Sequence, residues 1–213
     1  MDPGRGLRDE LAPAVATIDA QLAATHAARE AGLPACRRAI RAAGSSIRAV
    51  HRLEWDRARE LCDESEAEIR TAQAALAPFP QLVHAGFLGD AEKEFVEARL
   101  VLALVGDEHP VPGPKELAVQ PTSWMRGLAE AASELRRHLL DRLRAGELDR
   151  GEELLGLMDD AYDVLVTVDY PDAITAGLRR TLDALRAVLE RTRGDVTTTV
   201  LQTRLQRAIE ERA

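Results

Sequence analysis

A chain of 213 residues, of which 46% are hydrophobic, is long enough to bury a full core and too apolar to be intrinsically disordered. Its net charge of −8 disfavours indiscriminate binding to nucleic acid. No apolar run reaches the roughly 18 residues that a membrane span requires. Aromatic residues make up only 3%, and Ala, Leu, Arg and Glu dominate, which favours long helices over strands.

Two features of the sequence predict a cytoplasmic protein. The first ten residues, MDPGRGLRDE, lack the apolar core of a secretory signal peptide. The two cysteines, Cys36 and Cys62, are isolated and form no CxxC pattern, which is typical of thiols in a reducing compartment.

The first part of the chain predicts two long helices. Apolar residues at helical spacing predict an amphipathic helix over residues 5–31, which Gly-Leu-Pro at 32–34 should end. A second helix is predicted over residues 34–77, with a soft point at Gly-Ser-Ser 44–46 and a stop at Pro78. At about 1.5 Å per residue this second helix would extend on the order of 60 Å, which predicts packing against another chain.

The later elements follow from the same periodicity and from Gly and Pro residues that separate them. We expect helices over residues 81–106, 121–145 and 147–168, a sixth that ends at Gly194, and a last amphipathic segment, with a short turn at 115–119. The sequence contains no strand pattern and no repeat of fixed period. It therefore predicts an all-α fold of about six or seven helices in a single domain, residues 1–213.

Residues 90–105, DAEKEFVEARLVLALV, form the most apolar predicted helix. On a helical wheel Glu94 lies within the apolar face, and Glu97, three residues further on, can reach the same side. An unpaired carboxylate in an apolar setting is costly, so it is normally neutralised, ion-paired or bound to a metal. We therefore expect a partner for these two carboxylates elsewhere in the chain.

The next long helix carries a second pair, Glu130 and Glu134, at i,i+4 spacing. This spacing alone also fits an ordinary solvated face. If the two helices face each other, their four carboxylates can surround one or two divalent cations, and Mg²⁺ and Mn²⁺ prefer such hard oxygen ligands. A metal held there can polarise a phosphate and activate a water for phosphodiester hydrolysis.

Four segments resemble the translin family, which includes translin and translin-associated factor X. KEFVEA at 93–98 resembles the QEYVEA segment of the factor X branch, and GLAEAASELRR at 127–137 resembles its GVADLTGELMR. HR at 51–52 matches the end of a helical pattern ending in LHR, and residues 169–197 resemble the C-terminal helix of prokaryotic members. The resemblance covers most of the chain from about Cys36 onward.

The resemblance implies a translin-like superhelical bundle that acts as a metal-dependent endoribonuclease on single-stranded RNA, with Mg²⁺ or Mn²⁺ as cofactor. The catalytic and metal-binding carboxylates of the factor X branch fall on Glu94, Glu97, Glu130 and Glu134. Position 130 departs from the family, where it is usually Asp; the longer side chain keeps the charge but can shift the metal. The resemblance also implies a hollow homo-oligomer, commonly an octamer, with the acidic sites on its inner surface.

A basic stretch is the predicted nucleic-acid surface, because guanidinium groups bind phosphates in a bidentate way. The predicted contacts are Arg37, Arg41, Arg48, His51 and Arg52. The same residues also fit a solvated face that pairs with the neighbouring acidic segment. At residues 44–45 the chain has Gly-Ser where factor X has a Lys-Arg pair, so it lacks two basic residues of that branch.

The leading hypothesis, a metal-dependent endoribonuclease, has an alternative on the same fold: a non-catalytic protein that binds single-stranded RNA or DNA. The carboxylate set separates the two, since binding alone does not need it. A di-iron carboxylate bundle ranks low because such sites use Glu-x-x-His motifs, and no Glu in this chain is followed by His three residues later. A purely structural assembly protein would leave Glu94 unexplained.

Overall fold

The computed structural model describes residues 6–106 and 110–211, and every regular element in those two ranges is an α-helix. The helices are α1 Leu7–His51, α2 Trp55–Leu76, α3 Pro80–Val83, α4 Phe87–Gly106, α5 Pro121–Arg144, α6 Leu148–Val166, α7 Asp172–Thr175 and α8 Leu178–Glu210. The predicted all-α class is confirmed. Six of these helices are long, whereas α3 and α7 have only four residues each.

Helix α1 is continuous, so the predicted helix end at residues 32–34 is wrong. Gly32 packs closely against α2, where an added Cβ would lie only 2.6 Å from Leu76 Cδ2. Pro34 removes one backbone donor from the helix, but Ala35 beside it is fully buried in the core. The packing of α1 on α2 therefore outweighs the local helix-breaking signal.

The predicted second helix over residues 34–77 is wrong as well, because the chain reverses at residues 52–54. There Leu53 adopts a φ of 61°, and α1 and α2 form an antiparallel hairpin. Ser46, at the predicted soft point, lies inside α1 and donates its hydroxyl to the Ala58 carbonyl of α2 at 2.7 Å. The residues expected to bend the helix instead join the two arms of the hairpin.

Helix α4 is the central helix of the bundle, and its predicted burial is confirmed: it packs against α1, α2 and α5. Its Glu92 is only 2% exposed. The two carboxylate oxygens accept hydrogen bonds from Gln73 Nε2 at 2.8 Å and from the backbone N–H of Gln120 at 3.0 Å. This fully partnered carboxylate ties α4 to α2 and to the start of α5.

Helix α5 packs closely against α4 at Gly127. A Cβ at this position would lie 2.6 Å from Val96 Cγ1 and 2.9 Å from the Lys93 carbonyl oxygen. Only a glycine allows the two backbones to come this near without a shift. The close approach brings residues of α5 that lie one turn further on, Glu130 among them, against the polar side of α4.

Helix α8 runs through Gly194, so the predicted helix end there is wrong. Thr192 and Val196 on either side of it are buried. Arg136 of α5 also pairs with Asp195 at 2.7 Å. These contacts with the bundle hold α8 in one piece across a residue that is a weak helix former.

The N-terminal part of α1 and the C-terminal part of α8 expose a series of apolar side chains. They are Leu7, Leu11, Val15, Ile18 and Leu22 on α1, and Leu201, Leu205 and Ile209 on α8. These residues are separated by polar ones, and none of the described helices has the length and hydropathy to cross a membrane.

Candidate metal centre and its cavity

Three of the four predicted carboxylates come together where α5 crosses α4. Glu94, Glu97 and Glu130 each offer one oxygen atom, and these atoms all lie within 4.8 Å of one another. The i,i+3 spacing places the first two on one side of α4, and the close contact at Gly127 brings the third to them. Glu94 and Glu130 are half-buried, whereas Glu97 lies deeper.

Lys93 is a member of this cluster that the sequence analysis did not identify. Its ammonium lies 2.8 Å from Glu94 Oε1 and 3.0 Å from Glu130 Oε1, and the residue is only 8% exposed. Burial by itself would lower the pKa of Lys93, but the hydrogen bonds to the two glutamates outweigh this effect and raise it. A fixed positive charge therefore joins α4 to α5 inside the acidic cluster.

Glu97 lies in surroundings that disfavour its ionised form. Its burial, followed by the negative charges of Glu94 and Glu130, raises the pKa of Glu97 to about 8. Lys93 opposes this shift without cancelling it. In the metal-free site at neutral pH, Glu97 is therefore mostly protonated, and a cation bound there would have to displace that proton.

Glu134, the fourth predicted carboxylate, lies apart from the other three and binds His51 instead. The distance between His51 Nε2 and Glu134 Oε1 is 2.6 Å. The bond joins the C-terminal end of α1 to α5 and holds the carboxylate in one orientation. The adjacent His138 is also buried, and its burial, followed by the positive charge of Arg142, lowers its pKa to about 4.

The predicted nucleic-acid contacts divide into two groups. Arg37, Arg41 and Arg48 are exposed on one face of α1. Arg52 is exposed as well but forms a bidentate pair with Glu54, with both bonds at 2.8 Å. His51 does not share this surface: its side chain is only 2% exposed, and its Nδ1 is buried with no hydrogen-bond partner among the described residues.

A cavity of about 420 Å³ opens beside the acidic cluster. Its wall is formed by residues of α4, α5 and α8, namely Glu97, Glu130, Ser133, Glu134, Arg180, Thr181, Ala184 and Val188. Three predicted carboxylates, including Glu134, thus face one common space. Arg180 is a basic lining residue that the sequence analysis did not identify, because its place on the wall depends on how α8 packs against α5.

The residues present fit a divalent cation by their donor chemistry. Three carboxylates supply the hard oxygen atoms that Mg²⁺ and Mn²⁺ prefer, and they lie close enough for one ion to reach all three. After burial, the negative charges of Glu94 and Glu130 are the next causes that raise the pKa of Glu97, and Lys93 pairs with the same two carboxylates. A cation would relieve the same repulsion.

Comparisons with known proteins identify several relatives, although no protein-family model matches the chain. An uncharacterized protein of Methanocaldococcus jannaschii is 32% identical over 187 residues, which cover 87% of this chain and 82% of that protein. The crystal structure of AfC3PO superimposes with a TM-score of 0.82 at 26% identity, covering 88% of this chain and 97% of its own.

Two further solved structures share the arrangement of helices. AfC3PO in complex with duplex RNA matches with a TM-score of 0.70 over the same shares of the two chains. Apo-NeC3PO matches with a TM-score of 0.75 over 93% of this chain and 98% of its own, and its 18% identity supports the fold alone.

Proposed function

This chain belongs to the translin family, and we propose that it acts as a metal-dependent endoribonuclease on single-stranded RNA. The observation that supports this best is the cluster at the crossing of α4 and α5, where three carboxylates lie within 4.8 Å of one another beside an open cavity. A protein that only binds nucleic acid has no need of such a cluster, because carboxylates repel phosphates.

In this proposal Glu94, Glu97 and Glu130 hold Mg²⁺ or Mn²⁺. When bound, such an ion neutralises charge on a phosphate and lowers the pKa of a water. Glu134 faces the same cavity in an orientation fixed by His51, so it is placed to orient the attacking water and accept its proton. Lys93 bridges the Glu94 and Glu130 carboxylates and holds both in position.

The RNA substrate is supported by the solved complex of AfC3PO with duplex RNA. For this chain we propose single-stranded RNA as the substrate that is cut. A cavity of about 420 Å³ lies in the range of pockets that hold a single small ligand, which suits one unpaired nucleotide better than a double helix. The exposed Arg37, Arg41 and Arg48 are the proposed contacts to the RNA backbone outside the cavity.

A homo-oligomer, with an octamer favoured, is part of the same proposal. The apolar residues exposed at the N-terminal part of α1 and the C-terminal part of α8 are unusual for helices that face only water. Contacts between copies would cover them. The assembly would then enclose the acidic cavities and protect them from bulk solvent.

The test is to incubate the purified full-length protein with a labelled single-stranded RNA in Mg²⁺, Mn²⁺ or EDTA. We expect internal cleavage with either metal and none in EDTA. Glu97→Gln should abolish cleavage and leave RNA binding intact, whereas the matched control Glu64→Gln, on the exposed face of α2, should cut at the parental rate. If the parent, Glu97→Gln and Glu64→Gln all cut RNA at the same rate, the carboxylate cluster has no part in the cleavage.

A non-catalytic protein that binds single-stranded RNA or DNA is the second candidate. It is favoured by Lys93, which already neutralises part of the cluster without any metal. RNA binding without cleavage in both metals, and unchanged in EDTA, would support this candidate and overturn the nuclease.

A further inference from the structure

The cavity beside the acidic cluster has walls of opposite charge. Glu97, Glu130 and Glu134 lie on α4 and α5, and Arg180 lies on α8. Arg180 is exposed, and no ion pair or hydrogen bond joins its guanidinium to another residue in the described ranges, 6–106 and 110–211. The guanidinium is therefore not part of the carboxylate cluster, and its binding capacity is available to a ligand.

The position of Arg180 in its helix strengthens the positive side of the cavity. It is the third residue of α8, which starts at Leu178 without a side-chain cap on its first N–H groups. The N-terminal end of a long helix carries a partial positive charge. Thr181, the next residue, brings a hydroxyl group to the same wall.

An anion in this cavity would meet strong repulsion from the carboxylates unless a cation faced it from the other side. A metal on the carboxylates supplies one cation, and Arg180 supplies a second one across the cavity. A phosphodiester suits that arrangement, because its two non-bridging oxygens can bind a metal on one side and a planar guanidinium on the other.

We infer that Arg180 binds the phosphodiester that enters the cavity and holds it against the carboxylate cluster. This inference rests on the proposed nuclease function and assigns a substrate-binding residue on α8, outside the arginines of α1. The described residues that line the cavity include no aromatic side chain. Recognition there is therefore of the backbone phosphate, not of a stacked base, and depends little on sequence.

The test compares Arg180→Ala and Arg180→Lys with the matched control Arg179→Ala in the full-length protein. Arg179 is the preceding residue, is exposed as well, and pairs with Asp169 at 3.0 Å outside the cavity. Both alanine variants lose the same charge from the same turn of α8. Any difference between them therefore reports the direction of the side chain and not the net charge of the protein.

Cleavage of a labelled single-stranded RNA in Mn²⁺ gives the first measurement. We expect Arg180→Ala to lower kcat/KM by at least tenfold, Arg180→Lys to recover part of the loss, and Arg179→Ala to remain within twofold of the parent. Mn²⁺ affinity and oligomer size should be unchanged in all variants. Equal losses in the two alanine variants, or none in either, would overturn the assignment.

RNA binding in Mn²⁺ gives a second measurement that does not depend on cleavage, with Arg180→Ala and Arg179→Ala each made in a Glu134→Gln background that keeps the three proposed metal ligands and lacks the proposed base. Each lost phosphate contact lowers the dependence of binding on salt by about 0.7 in the log–log slope for a single strand. We expect that decrease for Arg180→Ala and no change for Arg179→Ala. If the parent binds RNA but never cuts it, the nuclease proposal fails. The salt dependence of RNA binding still decides whether Arg180 contacts a phosphate.

Discussion

Lys93 donates to two carboxylates that would otherwise repel each other, and the same two are needed to hold a metal. Two unit charges about 4 Å apart interact by about 4 kcal/mol near a protein surface, so this ammonium acts strongly on any cation that enters the cluster. The Lys93 ammonium stabilises the site when no metal is bound and opposes the binding of a metal ion. The affinity of the site for Mg²⁺ or Mn²⁺ thus depends on a residue that is not itself a ligand.

Replacing Lys93 with Gln should therefore strengthen metal binding by at least tenfold and weaken the metal-free fold. Calorimetric titration with Mn²⁺ measures the first effect, and thermal unfolding in EDTA measures the second. Since Lys93 also lowers the pKa of Glu97, the gain in affinity should grow as pH rises. Lys115→Gln removes the only other lysine, which is exposed, and should change neither the Mn²⁺ affinity nor the unfolding temperature. If Lys93→Gln binds Mn²⁺ with the affinity of the parent, the ammonium of the parent moves out of the site at no cost.

Glu97 gives the metal-free protein a pH dependence of defined sign. Its folded pKa of about 8 lies above its ordinary value, so the folded protein keeps a proton that the unfolded chain releases, and stability falls as pH rises toward 8. The slope is at most about 1.4 kcal/mol per pH unit for one proton. His138 has the opposite effect, since its folded pKa of about 4 makes stability rise with pH up to about 6.5, its ordinary value.

The effect of Glu97 on stability can therefore be measured without the opposing effect of His138 between pH 6.5 and 8. Urea unfolding in EDTA across this window should show the parent losing stability, whereas Glu97→Gln stays nearly level. Glu64→Gln, the exposed control, should follow the parent. A level profile in the parent would mean that Glu97 ionises without penalty in the folded state.

At the scale of helices, periodicity predicted the central buried helix and the helix that carries Glu130, but it failed where glycine serves packing. Gly32 and Gly194 were assigned as helix ends, yet contacts of α1 with α2 and of α8 with α5 carry both helices through. The reversal at residues 52–54 was missed because Leu53, with its φ of 61°, carries no turn signal. The roles of Lys93 and Arg180 could not be predicted for a related reason. The contacts of Lys93 and the place of Arg180 on the cavity wall both depend on how the helices pack against one another.

The crossing of α4 and α5 depends on Gly127, and this can be tested directly. Gly127→Ala would place a Cβ within 3 Å of Val96 and of the Lys93 carbonyl, so the helices must separate. We expect a loss of roughly 2–3 kcal/mol in stability, as for overpacked cores, together with weaker metal binding because Glu130 moves away from α4. Gly156→Ala, where the added Cβ meets nothing within 4 Å on α6, should be neutral or stabilising by up to about 1 kcal/mol.

For the whole molecule, the apolar ends of α1 and α8 are the surfaces from which the proposed assembly would be built. The described chain buries one continuous core, to which residues before Ala28 on α1 and after Val200 on α8 do not contribute. Those two ends extend beyond the bundle and carry leucine, isoleucine and valine at helical spacing. A monomer would leave this apolar area in water.

Charging these ends should divide the assembly without unfolding the protomer. Ile18→Glu with Leu22→Glu places two carboxylates on the exposed stripe of α1. Burying these carboxylates in a contact between copies would be costly, whereas in a monomer they would stay in water at no cost. We expect light scattering to show a species smaller than the parent, while circular dichroism and the unfolding transition of the core remain. Val164→Glu is the matched control, because Val164 is similarly exposed but lies on α6, outside the apolar ends of α1 and α8. If the double variant keeps the parental size at micromolar concentration, contacts between copies lie elsewhere; if the control dissociates as well, they include α6.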